Sequence, residues 1–249
     1  MAIKIDVFTA ESSDAQHPEV AVEVPDEYKL LGGGAFDHWI GPGNLLTASY
    51  PLSSNVWRVA GKDHTDVEVA RITGYAIAIF DPNDEWETMI VSNTGVTAAH
   101  PNATATLPPD FALTGGGAWV DYHGPGNLLT ASYPSGAHTW QAQSKDHSNP
   151  DVATLWAFAI GLRRRSKTKL PEVHVAHETG EAASHPVASV SLPEGFVLCG
   201  GGALDHWIGA GNLLTASYPE GNGWNVAGKD HDVISPATVT AYAIGLKQE

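Results

Sequence analysis

Cysteine is nearly absent from this chain. Cys199 is the only one among 249 residues, which excludes an intrachain disulfide and a Cys-based zinc knuckle and suits a reducing compartment. Basic side chains are also few: 13 Lys and Arg face 28 Asp and Glu, for a formal net charge of −15. That balance disfavours a phosphate backbone or an anionic membrane surface, so no nucleic-acid partner is expected. The one cationic run, Arg163-Arg164-Arg165 with Lys167 and Lys169, reads as a solvated linker. Long apolar runs are missing, so no transmembrane segment is expected. The opening Met1-Ala2-Ile3-Lys4-Ile5-Asp6 lacks the apolar core of a secretory signal. Cytoplasmic synthesis without a signal peptide is the expectation, with non-classical release as the way out. No stretch has helical periodicity, and there is no nucleophile elbow, phosphate-binding loop, dinucleotide fingerprint or HExxH.

What the chain has instead is repetition. Asn-Leu-Leu-Thr-Ala-Ser-Tyr-Pro occurs three times unchanged, at Asn44 to Pro51, Asn127 to Pro134 and Asn212 to Pro219. Each copy follows a triple glycine (Gly32 to Gly34, Gly115 to Gly117, Gly200 to Gly202) and precedes a Trp (Trp57, Trp140, Trp224) and then Lys-Asp-His. A fixed period of about 83 residues marks a repeat architecture, and three modules are expected, at 1–84, 85–168 and 169–249. Within each, apolar and polar residues alternate with period two, as Val20, Val22 and Val24 do around Ala21 and Glu23 before Pro25 ends the run. One apolar and one polar face at this period describe a half-buried strand. The last strand of the first module sets Tyr75, Ile77 and Ile79 opposite Gly74, Ala76 and Ala78, a pattern that suits a central position. Five or six such strands per module predict an all-β chain of three tandem antiparallel β-sandwiches. If they close on one another they have pseudo-threefold symmetry; three beads in a row is the alternative. The triple glycine has two readings, a bulge or a close approach of another backbone or a ligand.

The copies let core positions drift, as Leu31, Thr114 and Cys199 do, yet several polar positions hold. Asn44, Lys62, Asp63 and His64 recur as Asn127, Lys145, Asp146 and His147 and again as Asn212, Lys229, Asp230 and His231. Polar residues that outlast the core are either turn hardware or a site. A second cluster, Asp37-His38-Trp39 and Asp205-His206-Trp207, becomes Val120-Asp121-Tyr122 in the middle module, with His123 one place further on. An indole beside carboxylate, imidazole and amide groups suits a sugar: the ring face meets the apolar side of a pyranose and the polar groups meet its hydroxyls. Asp37, His38, Trp39, Asp121, Tyr122, His123, Asp205, His206 and Trp207, together with the recurring Asn, Lys, Asp and His, form the expected ligand-binding set; no catalytic residue is assigned. His17, His100 and His185, each before Pro, read as turn caps. Three histidines on a threefold axis could instead hold a divalent metal; otherwise no cofactor is expected.

The early β alternation, the strand bearing Trp57, Trp140 or Trp224, and the closing strand with Tyr75, Phe158 or Tyr242 resemble H-type lectin domains, known from snail agglutinins and discoidins. The resemblance implies six-stranded antiparallel sandwiches that assemble as trimers and bind N-acetylgalactosamine or galactose at their edges. The chain departs from that family in its triple glycine and its octamer, and no Arg stands at a repeated site position. The expected function is a multivalent carbohydrate-binding protein, associated with defence or a toxin, with a glycan or other small polar ligand as partner and avidity gained by linking sites. Two other classes stay open. One is an enzyme using Asp-His pairs as general acid and base in one pocket, which recurrence of the polar set disfavours. The other is a structural ring holding a metal on its histidines.

Overall fold

The computed structural model describes residues 3–166 and 169–248, and within them all regular structure is β. Met1, Ala2 and Lys167, named above, lie outside the described residues. The first third supplies β1 (Ile5–Glu11), β2 (Glu19–Glu23), β3 (Tyr28–Asp37), β4 (Leu45–Pro51), β5 (Val56–Lys62) and β6 (Ile72–Phe80). The second supplies β7 (Trp86–Thr94), β8 (Asn102–Thr106), β9 (Ala112–Asp121), β10 (Asn127–Gly136), β11 (Thr139–Asp146) and β12 (Thr154–Arg164). The last supplies β13 (Val173–Thr179), β14 (Val187–Ser191), β15 (Phe196–Asp205), β16 (Asn212–Glu220), β17 (Gly223–Asp230) and β18 (Val239–Lys247). No helix long and apolar enough to cross a membrane is present among them.

The strands form three six-stranded antiparallel sheets, ordered β1-β6-β3-β16-β17-β14, β2-β5-β4-β9-β12-β7 and β13-β18-β15-β10-β11-β8. Each sheet therefore takes three strands from one third of the chain and three from another, joined at β3–β16, β4–β9 and β10–β15. As the small-against-aliphatic pattern predicts, β6 lies between β1 and β3, with Ala76, Ile77 and Ala78 wholly buried. One continuous apolar core runs through all three thirds, from Val22, Trp57 and Ile77 to Trp140 and Ile160 and on to Trp224 and Ile244.

The triple glycines do both things expected of them. Register shifts mark a bulge just before each, at Leu31, Thr114 and Cys199. The first glycines also meet: a Cβ on Gly32 would lie 2.9 Å from Cys199 O, and one on Gly115 would lie 2.8 Å from Gly32 Cα. The octamer is less regular than its alternation suggests, because the register slips at Thr47, Thr130 and Thr215. Its first leucines, Leu45, Leu128 and Leu213, are fully buried against one another. Its serines accept the indole N–H of the core tryptophans: Trp57 to Ser49 at 3.1 Å, Trp140 to Ser132 at 2.9 Å and Trp224 to Ser217 at 2.9 Å.

The cationic run corrects one expectation. Arg163 and Arg164 close strand β12 instead of forming a linker. Arg163 pairs with Glu87 and Asp110, Arg165 with Asp84 and Glu87, and the Arg164 guanidinium lies 4.6 Å over the Trp86 ring. The acidic surface neutralises these cations in place.

Candidate functional site

The Lys-Asp-His ends of β5, β11 and β17 converge with the loops after β3, β9 and β15. Each lysine crosses to the next third of the chain. Lys62 Nζ donates to Pro125 O and stands 5.1 Å over Tyr122; Lys145 donates to Ala210 O and stands 5.0 Å over Trp207; Lys229 donates to Pro42 O and stands 4.3 Å over Trp39. Trp39 and Trp207 also meet the rings of His185 and His100 edge-on, at 5.3 Å each. Burial pushes the ammonium pKa of Lys145 and of Lys229 down to about 8, with nearby carboxylates holding it up, and lowers that of Lys62. The carbonyl and aromatic contacts supply what water would otherwise give the charge.

The histidines that follow gather in one buried cluster, their ring centroids 5.1 to 5.4 Å apart. His64 places Nδ1 2.7 Å from Pro125 O and Nε2 2.7 Å from His147 O. His147 places Nδ1 2.9 Å from Ala210 O and Nε2 2.5 Å from His231 O. His231 breaks the pattern: neither ring nitrogen has a hydrogen-bond partner among the described residues. Its Nδ1 lies 3.1 Å from Asp232 Oδ2, without hydrogen-bond geometry. Desolvation lowers the pKa of His147 and pushes that of His231 down to about 4, so both are neutral at pH 7.

The aspartates between Lys and His tie down their own loops. Asp63, Asp146 and Asp230 lie 3.1, 2.9 and 3.4 Å from the Nε2 atoms of His17, His100 and His185. Each also accepts a backbone N–H, from Glu68, Asp151 and Ser235 respectively. Asn44, Asn127 and Asn212, wholly buried, donate to Gln16 O, Ala99 O and Ser184 O. His38 and His206 bond Thr73 and Thr240. Asp121 and Tyr122 are half-buried and His123 is exposed.

Asp37 and Asp205 are the strained members of the set. Both are buried and neither carboxyl has a hydrogen-bond partner among the described residues. Burial raises Asp37 to about 8, against the attraction of Lys229, and Asp205 to about 7, against that of Lys145. A Cβ added to Gly61 would lie 2.6 Å from Asp37 Oδ2 and 2.8 Å from Asn44 Oδ1. In the middle third this space is filled: Val120 stands where Asp37 does, Ser144 stands where Gly61 does, and Ser144 Oγ lies 2.5 Å from Asn127 Oδ1.

Residues that sequence reasoning left out form a second surface, on the outer faces of the sheets where one third joins the next. Tyr50, from the octamer, stacks on Phe158 at 4.9 Å and Trp119 at 5.9 Å, and Trp119 continues to Trp156 at 6.0 Å. Tyr133 stacks on Tyr242 at 5.2 Å, and Tyr218 on Tyr75 at 5.6 Å with Phe36 at 5.1 Å. Beside the last group a hollow of about 540 Å³ is lined by Phe36, Tyr218, Val187, Glu178, Ser189 and Asn225. The unchanged tyrosine of the octamer was the available signal, but the strand across the join comes from a distant part of the chain. Compared with known proteins, the chain matches no family model and no curated protein sequence.

Proposed function

We propose that this chain is a multivalent carbohydrate-binding protein whose three repeats are arranged with pseudo-threefold symmetry, and that its sugar contacts lie on the outer sheet faces at the joins. The observation that carries this reading is the hollow beside the β3–β16 join. There the Phe36 and Tyr218 rings lie within reach of Glu178, Ser189 and Asn225, an aromatic surface with carboxylate, hydroxyl and amide groups beside it. The joins run from the first repeat to the second, the second to the third and the third to the first, which supports both the symmetric arrangement and the likeness to trimeric H-type lectins. Opposite the octamer tyrosines Tyr50, Tyr133 and Tyr218 stand Arg58, Gln141 and Asn225, so the three surfaces differ in preference. The loop cluster has a holding role in this reading, since its lysines, its asparagines and Asp63, Asp146 and Asp230 engage the chain's own carbonyls, rings and N–H groups.

The test is a glycan array followed by titration calorimetry with galactose and N-acetylgalactosamine, on the native chain and on Tyr218→Ala and Asn225→Ala. Binding weakened at least tenfold by either variant supports the reading. Absence of binding to any glycan overturns it, and loss in Trp39→Ala with none in Tyr218→Ala moves the site back to the loops.

A further inference from the structure

The histidine cluster is asymmetric in one place, and that place has the donors of a metal site. Four of the six ring nitrogens face backbone carbonyls, but both of those on His231 are without a hydrogen bond among the described residues, on a side chain that is 0% exposed. Buried orphan nitrogens are rare and ask for an unseen partner. The residue after each histidine has a left-handed backbone, with φ of 61° at Thr65, 57° at Ser148 and 60° at Asp232. Only the third of these carries a carboxylate.

We propose that His147, His231 and Asp232 bind one divalent transition metal, zinc by the chemistry of the donor set, at the open end of the histidine cluster. One donor atom from each lies within 4.8 Å of the others. The separation of 3.1 Å between His231 Nδ1 and Asp232 Oδ2 is close to the edge of a tetrahedron with metal bonds of about 2.0 Å. His147 can be released to the metal at small cost. A neutral imidazole has one N–H, yet both of its nitrogens face carbonyl oxygens, so one of those contacts sets a lone pair against a lone pair. A hollow of about 250 Å³, lined in part by Gly41, Pro42, Lys229, Asp230 and Asp232, leads to His231 and leaves room for water as the fourth ligand. The Lys229 ammonium opposes a cation there, but it is turned onto Pro42 O and the Trp39 ring, and Asp230 and Asp232 carry the opposite charge. His64 is left out by position: its ring nitrogens face Pro125 O and His147 O, and the donor atoms that converge are those of His147, His231 and Asp232.

The site does not depend on the proposed sugar surface, which lies elsewhere on the sheets. The test strips the full chain with a chelator and then measures zinc content after dialysis against zinc chloride, together with zinc titration calorimetry. The comparison variant is Asp232→Ser, since Ser148 already stands at the corresponding turn in the middle third. One zinc per chain is expected, with at least a tenfold weaker association in Asp232→Ser; the substitution also removes the bond from Thr65 Oγ1 to Asp232 Oδ2 at 3.0 Å, so melting of both metal-free proteins is measured to show that each is folded. No stoichiometric uptake by the native chain overturns the proposal. So does equal affinity in Asp232→Ser, which would assign the metal to the exposed His-Asp pairs such as His17 with Asp63.

Discussion

Lys229, near the end of the chain, holds its ammonium 4.3 Å from the ring of Trp39, near the beginning, and donates to Pro42 O in the same loop. This contact and its counterparts Lys62 with Tyr122 and Lys145 with Trp207 join one third of the chain to another. Replacing Trp39 by Ala removes the ring from over a buried cation and leaves a gap beside His185. The expected loss is about 2 kcal/mol, from the cation–π contact and partial burial together. Lowered urea midpoint in Trp39→Ala, with no change in the slope of unfolding against urea, is the outcome to look for; a loss under about 0.5 kcal/mol would make the contact incidental.

Stability should fall with pH in a window set by the buried acids. Asp37 keeps its proton up to about 8 and Asp205 up to about 7 in the folded chain, while both lose it near 3.8 when unfolded. The folded state then binds more protons, and each acid removes up to about 1.4 kcal/mol of stability per pH unit across its window. His231 works the other way between about 4 and 6.5, where the unfolded chain holds the proton that the folded one lacks. The opposing slopes cancel in part below pH 6.5, so the fall is clearest from pH 6.5 to 8. Above 8, Lys145 and Lys229 are neutral when folded and charged when unfolded, and stability rises again toward 10.5. Urea melts from pH 5 to 10 should show this minimum near 8; a curve flat from 6.5 to 8 would rule out the buried protonated acids.

The middle third shows how to remove the part of that fall due to Asp37, leaving the part due to Asp205. Asp37→Val with Gly61→Ser copies the arrangement of Val120 and Ser144, in which the serine hydroxyl lies 2.5 Å from the Asn127 amide oxygen. Gly61→Ser alone should destabilise, since its Cβ would stand 2.6 Å from Asp37 Oδ2. Asp37→Val alone removes the buried carboxyl but does not give Asn44 Oδ1 the partner that it lacks in the native chain. The pair together should therefore be more stable than the sum of the single changes by about 1 kcal/mol or more. A double-mutant cycle at pH 8 measures this, and simple additivity would separate the two positions.

How far these contacts were legible in the sequence depends on their range. The period-two runs and the glycine and proline breaks report local backbone, so the strands carrying Val22, Trp57 and Ile77 were visible before the structure. The invariance of Asn44, Ser49, Lys62, Asp63 and His64 was visible too, but invariance alone does not separate a ligand contact from a contact with the chain itself. Ser49 is fixed because the Trp57 indole N–H must end on an acceptor, and Lys62 because it ends on a carbonyl in the next third. The aromatic groups at the joins were not legible, since Tyr218 meets Phe36 and Tyr75 only through a pairing of β16 with β3 that no local pattern specifies. The substitutions at Val120 and Ser144 were the one readable clue to the buried acids, because a paired exchange in a single repeat marks two positions in contact.

The centre of the molecule sets the most demanding requirement. Gly32, Gly115 and Gly200 approach so closely that a methyl group on Gly115 would lie 2.8 Å from Gly32 Cα and press on Leu31 O, and one on Gly200 would lie 3.2 Å from Gly115 Cα. These neighbours are backbone atoms in paired strands, so they cannot turn aside as a flexible side chain could. Relief would require β3, β9 and β15 to move apart, which would loosen the core shared by all three thirds. Gly115→Ala should therefore cost about 3 kcal/mol or more, at the upper end for a single overpacked position. Gly136→Ala is the control, because its nearest neighbour would be Thr139 Cβ at 3.6 Å, and it should stay within about 0.5 kcal/mol of the native chain. Thermal and urea melts of both variants decide the matter: a Gly115→Ala protein as stable as the native one would mean that the three thirds are not held in contact at their centre in solution.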